Sequence, residues 1–162
     1  MARTLLSLIL IGGVCGVLLV GTHHLTADEI QLHREARARA LMTEMLGQAL
    51  PAPLDIQAPA AGDCSDWVFQ RVAVNGYAGT INLRVLWRAD ETLVMRVTQH
   101  RETPGIGDFI DHTRDPWIVQ LDGLTATEIA HIDNVTGATI TTNAIRQAAM
   151  RTALDTEDYC RD

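Results

Sequence analysis

The sequence has no lysine and only two serines among its 162 residues. Without lysine the chain cannot form a Schiff base, and it lacks the cation of a Walker-type phosphate loop. Its 13 basic residues are all arginine and are outnumbered by 20 acidic residues, which gives a formal net charge of -7. Nucleic acid binding requires clustered basic surface, so we expect no nucleic acid partner.

Catalytic and metal-binding patterns are also missing. The six histidines show no His-Glu-x-x-His pattern and no paired cysteine spacing. Ser65 does not lie in a Gly-x-Ser-x-Gly setting. We therefore expect neither a catalytic residue nor a metal site.

A long apolar run opens the chain. Residues 4–21, TLLSLILIGGVCGVLLVG, carry no charge and are rich in Leu, Ile and Val. At about 1.5 Å per helical residue, such a run crosses most of the hydrocarbon core of a membrane. It predicts a transmembrane anchor over residues 1–22. A cleaved signal peptide is the alternative, but the run is long for one, and the HHLTADE that follows offers no good small-x-small cleavage site.

Residues 23–63 are predicted to form a juxtamembrane helix followed by a linker. Thr26 and Glu29 have the spacing of a capping box, which predicts that this helix begins there. The stretch ALPAPLDIQAPAAGD is rich in proline and alanine, and it can neither continue a helix nor form an inner strand. The folded domain is therefore expected to span residues 64–162.

Strand and helix patterns follow the linker. In GTINLRVLW and TLVMRVTQH, large apolar residues alternate with mostly polar ones, which is the period of a half-buried strand. WVFQRVAV predicts a third strand, joined to them through an Asn75-Gly76 turn. NAIRQAAMRTAL has its small and apolar residues at helical spacing. Together these patterns predict an α+β fold, a small antiparallel sheet with packed helices, preceded by one N-terminal transmembrane helix.

The stretch HRETPGIGD follows the last predicted strand. Pro104 fixes its own φ, whereas Gly105 and Gly107 permit backbone conformations closed to other residues. The loop is therefore expected to present Glu102 and Thr103 on a tight turn rather than bury them in regular structure. An ordinary surface turn has the same composition, and this alternative stays open.

Four threonines surround a Gly-Ala pair at the start of the last predicted helix, in DNVTGATITTNAIRQAAM. Gly137 indicates a turn, and Thr141 or Thr142 is suited to cap the helix by accepting a bond from an unpaired N–H. A helix N-terminus also holds anions through its free N–H groups and the positive end of its dipole. A hydroxyl at that position is well placed to carry a phosphate.

The segment TGATITT resembles the flavinylation sequence of the FMN-binding subunits of the Rnf and Na+-translocating NADH:quinone reductase complexes. In that family, the pattern Ser/Thr-Gly-Ala-Ser/Thr-x-Thr carries FMN, joined through its phosphate to the final threonine. The resemblance implies that Thr141 is the acceptor of a covalent FMN. It assigns Thr136, Gly137, Ala138 and Thr139 to the rest of the motif.

The loop supports the same resemblance. HRETPGIGD is similar to the His-x-Glu-Thr-Pro-Gly-Leu-Gly loop that lines the flavin site in the family of the Rnf G subunit, and GYAGTINLRV resembles the strand before it. The resemblance therefore places the flavin beside Glu102, Thr103, Pro104, Gly105 and Gly107. We expect two separate roles, attachment by the threonine motif and shaping of the flavin surroundings by a remote loop.

The family implies a function in electron transfer. The chain is expected to be a redox carrier within a membrane-bound, ion-translocating Rnf-type complex rather than a stand-alone enzyme. Its partners are then the other membrane subunits of that complex, and a flavin transferase that matures it. Two alternatives stay open: the equivalent FMN-binding C subunit of the Na+-translocating NADH:quinone reductase, and a membrane-tethered binding or assembly module without a working flavin.

The side of the membrane depends on two observations. Cys64 and Cys160 form one pair outside the apolar run, and a disulfide between them implies an oxidising compartment, although the spacing equally allows two reduced thiols. Arginine counting does not decide the orientation, because Arg3 flanks one end and further arginines follow the other. With the resemblance, the cysteine pair favours a single-pass protein of the bacterial inner membrane, its soluble domain on the periplasmic side.

Overall fold

The structure is a computed structural model that describes residues 2–51 and 54–161. Its elements are helix α1 (Ala2–Leu46), strands β1 (Ala60–Asp63), β2 (Trp67–Asn75), β3 (Thr80–Arg88), β4 (Thr92–Gln99) and β5 (Leu124–Thr125), and helices α2 (Ala126–Ala130) and α3 (Thr139–Arg161). Two 3-10 turns, Asp108–Ile110 and Trp117–Leu121, lie between β4 and β5. The chain divides into two compact units, Met1–Ala40 and Leu41–Asp162.

Helix α1 contains the apolar run. Among the described residues, one helix is long and apolar enough to cross a membrane, over Ile9–Leu46. Its apolar side chains are exposed, as Val17 and Leu19 show. The predicted helix start at Thr26 is wrong, because α1 continues through this residue and the Thr26 hydroxyl donates to the Thr22 carbonyl at 2.8 Å.

The five strands form one antiparallel sheet in the order β1-β2-β3-β4-β5. Strands β2 and β3 pair from Trp67 opposite Arg88 to Asn75 opposite Thr80. β3 and β4 pair next to them, with an irregularity between Asn82 and the following residue. The predicted α+β fold with a small antiparallel sheet is thus confirmed.

Strand β1 falls in the stretch predicted to be a linker. It lies at the edge of the sheet directly after Pro59, whose carbonyl accepts the N–H of Arg71 at 2.8 Å. An edge position tolerates a neighbouring proline, because fewer of its N–H groups are needed for the sheet. Ordered structure therefore begins before Cys64, the expected start of the domain. Residues 52–53 of the expected linker lie outside the described residues.

The last turns of α1 belong to the folded unit. Met42 is 0% exposed and Met45 is 3% exposed, and the guanidinium of Arg88 donates to the Met45 carbonyl at 3.3 Å. Strand alternation places buried Leu86 on the same face of the sheet as Arg88. This face of the sheet is therefore covered by the segment that enters the domain.

The main core fills the space between the other face of the sheet and helices α2 and α3. Alternate residues of the strands supply its large side chains, including Ile81, Leu83, Val85, Leu93, Met95 and Val97. Helix α3 supplies mostly small ones, with Ala144, Ile145, Ala148 and Ala149 all buried. Small residues let α3 lie close to the sheet, which fixes the position of its first turn.

A disulfide ties the far end of α3 to the sheet. Cys64 and Cys160 are bonded, with their Cα atoms 5.7 Å apart, and they lie 96 positions apart in the sequence. The buried side chain of Gln70 adds a second tie, because its amide donates to the Thr152 carbonyl at 3.1 Å. Cys15, in the apolar run of α1, is free and exposed.

Candidate flavin site

Three segments meet at the side chain of Glu102, which is 6% exposed. Its Oε2 accepts a hydrogen bond from the Thr141 hydroxyl at 2.6 Å, and its Oε1 accepts from the Ala78 N–H at 3.1 Å. One carboxylate therefore joins the β2–β3 turn, the loop after β4 and the first turn of α3. The loop holds Glu102 outside regular structure, as expected, but it buries the side chain instead of presenting it.

Two glycines make room for this carboxylate. A Cβ on Gly107 would lie 2.2 Å from the Cβ of Glu102, and a Cβ on Gly76 would lie 2.3 Å from its Oε1. Gly107 has a φ of -97, which any residue adopts, so close approach rather than backbone freedom requires glycine there. Gly105 has a φ of +81, the left-handed conformation that the composition of the loop predicts.

The loop is a hydrogen-bonded turn. The Thr103 carbonyl accepts the N–H of Gly107 at 2.8 Å, and the Gly105 N–H donates to the carboxylate of Asp108 at 2.9 Å. Thr103 and Pro104 are exposed, so they lie on the outer side of the turn and not beside the buried carboxylate. The turn thus has an exposed outer part and one buried acid.

An arginine and two acids fix the segment that follows the loop. Arg114 pairs with Asp108 at 2.9 Å and with Asp111 at 3.4 Å. Burial raises the pKa of Asp111, but hydrogen bonds from the Thr113 hydroxyl and N–H, with the charges of His112 and Arg114, lower it by more. The carboxylate of Asp111 therefore stays ionised and holds the end of the loop in place.

The threonine motif forms a turn and then the start of α3. Gly137 has a φ of +80, and the N–H of buried Ala138 donates to the Val135 carbonyl at 2.9 Å. The helix begins at Thr139, which is exposed, as is Thr136. The motif therefore folds into a tight turn that leads into a helix N-terminus, as its composition predicts.

Thr141 and Thr142 lie next to each other but have different partners. The Thr142 hydroxyl donates to the Ala138 carbonyl at 3.0 Å and accepts the Val135 N–H at 3.2 Å. The Thr141 hydroxyl donates to Glu102 instead, and Thr141 is 2% exposed. Both residues lie inside α3, so the alternative that either is the N-cap of this helix is wrong.

Large apolar side chains are exposed on each of the segments that meet at Glu102. Tyr77 on the β2–β3 turn is 71% exposed, Ile106 in the loop is 57% exposed, and Ile140, next to Thr141, is 53% exposed. Because each lies on a segment that meets at Glu102, these three side chains are candidates for contact with a ligand. The sequence does not predict Tyr77, Ile106 and Ile140 as site residues, because a single exposed apolar residue carries no signal before the segments are brought together.

The residues present fit FMN. A hydroxyl in the first turn of a 23-residue helix suits a phosphate, since the helix dipole and the unpaired N–H groups favour an anion there. The exposed apolar side chains suit a flat ring system. Within the described ranges, no group of three His, Cys, Asp or Glu side chains could hold a metal ion. Fold and site together define a small α+β domain of the flavin-phosphate-binding class.

Comparison with known proteins identifies the family. Residues 76–154 match the FMN-binding domain family, and this range includes every residue of the site. The G subunit of the ion-translocating oxidoreductase complex from Shewanella piezotolerans is 32% identical, over 79% of this chain and 68% of its own. The G subunit from Pseudomonas aeruginosa PAO1 is 32% identical over 73% and 70%, and that from Haemophilus influenzae PittEE is 30% identical over 87% and 83%. The chain belongs to the G-subunit family of the ion-translocating oxidoreductase complex.

This membership confirms the resemblance that the two sequence motifs indicate. It also supports FMN as the cofactor, because the matched region is an FMN-binding domain. The roles of single residues, and Thr141 as the point of attachment, stay predictions.

Proposed function

We propose that this chain is the FMN-carrying electron-transfer subunit of a membrane-bound Rnf-type complex, with the cofactor attached through its phosphate to Thr141. The observation that carries the proposal is the hydrogen bond from the Thr141 hydroxyl to a buried carboxylate, at a helix start inside the FMN-binding domain. The neighbouring hydroxyl of Thr142 is bonded to the backbone. The resemblance of TGATITT to the flavinylation sequence of the family assigns the acceptor role to Thr141.

When bound, FMN supplies reversible electron transfer, and a phosphoester leaves its ring system unmodified. The residues of the chain hold and shield it. Thr141 holds the phosphate at the positive end of the α3 dipole. Tyr77, Ile106 and Ile140 would contact the ring system, and the water that they exclude would let the domain tune the reduction potential by desolvation. Electron transfer requires no general base or nucleophile, which agrees with a sequence that lacks catalytic patterns.

The anchor and the disulfide support a location. The apolar part of α1 serves as a single membrane span. The bond between Cys64 and Cys160 favours an oxidising compartment, so the domain lies on the periplasmic side of a bacterial inner membrane. Tethering the domain raises its effective concentration beside the other subunits of the complex, and covalent attachment prevents loss of FMN.

Flavin fluorescence under denaturing conditions tests this function. The full chain is co-expressed with a flavin transferase and run on a denaturing gel, where only covalently bound flavin stays with the protein. We expect a fluorescent band for the parent and for Thr127→Ala, a change at an exposed threonine of α2 that lies outside the motif and the loop. We expect none for Thr141→Ala. A parent without fluorescence would instead support the binding or assembly module.

A further inference from the structure

Glu102 contacts the atom that reacts in the proposed attachment. Its Oε2 lies 2.6 Å from the Thr141 Oγ1, and the two residues are 6% and 2% exposed. Short hydrogen bonds from a hydroxyl to a carboxylate are charge-assisted and stronger than neutral ones. The distance is also within the range in which a carboxylate can take a proton from a nucleophile.

We propose that Glu102 is the general base for the attachment of FMN to Thr141, so that the acceptor protein supplies a catalytic group for its own modification. This inference rests on the proposed function. The donor is a flavin dinucleotide, which carries the FMN phosphate as an anhydride. Thr141 Oγ1 forms a bond to the phosphorus of the FMN moiety, and the anhydride P–O bond breaks. The nucleoside monophosphate leaves with the electron pair, and the hydroxyl proton passes to Glu102.

The local charge after the transfer favours this route. The FMN phosphate is an anion in the dinucleotide and stays an anion in the phosphodiester, so the proton from Thr141 decides how many anions share the site. When Glu102 takes this proton, the carboxyl group beside the new phosphodiester is neutral. If another group took the proton, two anions would lie side by side in a buried site, and like charges at this distance disfavour each other strongly.

The surroundings hold Glu102 in place for this role. The Ala78 N–H binds Oε1 and leaves Oε2 directed at Thr141. The close approach of Gly76 and Gly107 prevents the side chain from swinging away. Thr141 is 2% exposed, so the donor reaches its hydroxyl only after the residues that cover it move. The contact with Ala78 then keeps the carboxylate in position.

The rate of flavin attachment tests the proposal. The purified full chain in detergent is incubated with flavin transferase and flavin dinucleotide, and the adduct is followed by intact mass and denaturing-gel fluorescence. General bases contribute about 100-fold to 10,000-fold, so Glu102→Gln should be slower by this factor. Glu157→Gln, an exposed glutamate on α3, is the matched control and should react at the parental rate.

Chemical rescue separates a base from a structural ligand. Glu102→Ala leaves space for a small carboxylate, and added formate should restore attachment in this variant but not in Thr141→Ala. Failure of formate to restore the rate overturns the base role, as does attachment to Thr141 in Glu102→Gln at the parental rate. Either result leaves the proposed function standing. A parent that forms no adduct on Thr141 overturns the proposed function itself.

Discussion

The Thr141 hydroxyl donates to the Glu102 carboxylate at 2.6 Å, although the two residues lie 39 positions apart in the sequence. The contact joins the threonine motif to the Glu-Thr-Pro-Gly loop, for which the sequence predicts separate roles. The expectation of a remote loop is therefore wrong. Substitutions in the loop should therefore change the rate of FMN attachment as well as the surroundings of the bound flavin.

The first prediction concerns the packing of Gly107 against Glu102. In Gly107→Ala the new Cβ overlaps the Glu102 side chain, which must shift away from Thr141. We expect slower flavin attachment, with a stability cost of about 1–3 kcal/mol from overpacking. The measurements are the flavin-to-protein ratio and chemical denaturation.

Two other glycines provide the controls for this prediction. Gly105 and Gly123 have φ values of +81 and +83, and nothing lies within 4 Å of an added Cβ at either. Alanine at each position carries a similar backbone strain of about 1 kcal/mol. Gly105→Ala distorts the loop and should slow attachment, whereas Gly123→Ala should not. Equal attachment in all three variants would mean that the loop is an ordinary surface turn.

The second prediction distinguishes Thr142 from its neighbour. Thr142→Val keeps the shape of the side chain but removes the bonds to Ala138 and Val135. An unpaired backbone N–H costs about 1–3 kcal/mol. The free energy of unfolding should fall by this amount while flavin still attaches to Thr141. Loss of the adduct in a folded Thr142→Val protein would mean that Thr142, and not Thr141, carries the FMN.

The third prediction concerns the disulfide. Replacing Cys64 and Cys160 with serine should lower the free energy of unfolding by about 2–4 kcal/mol, because the bond restricts the unfolded chain. Cys15→Ser is the control and should leave stability unchanged, since this thiol is free and exposed. Chemical denaturation with and without reductant makes the comparison. An unchanged midpoint in the double variant would show that the bond does not form in the protein.

The fourth prediction concerns the side of the membrane. A reporter that is active only outside the cytoplasm, fused to the C-terminus of the full chain, should be active in bacteria. We expect this because the domain follows the apolar span of α1 and contains a disulfide. A disulfide persists in an oxidising compartment outside the cytoplasm. A reporter that works only in the cytoplasm serves as the opposite control. Its activity at the same point would place the domain inside and overturn the proposed location.

The alternation of apolar residues predicts strands β2 to β4 and their antiparallel order, because each has one face in the core. It does not predict β1, whose sequence AAGD contains no β-branched residue and which forms only by pairing with β2 at the edge. The capping pattern also places a helix start at Thr26, where α1 continues. Local capping signals do not override a helix that is already formed on both sides.

The motif residues of the site are predictable, but their arrangement is not, and neither are the exposed apolar residues Tyr77 and Ile140. The motifs identify Thr141 and the loop, because their residue order resembles that of a known family. Burial of Glu102 is not predictable, since a loop rich in glycine and proline indicates exposure, and the partner of the carboxylate comes from a distant helix. The need for glycine at position 107 likewise comes from the close approach of the Glu102 side chain and not from the backbone conformation of Gly107.

The central claim is that FMN is attached to Thr141. Its most direct test is tandem mass spectrometry of the full chain after co-expression with a flavin transferase. We predict an FMN phosphoester on the peptide that contains Thr141, with fragment ions that place it on this residue and not on Thr139 or Thr142. The adduct should be absent in Thr141→Ala. An adduct retained at the parental level in Thr141→Ala, or located on another residue in the parent, would contradict the account.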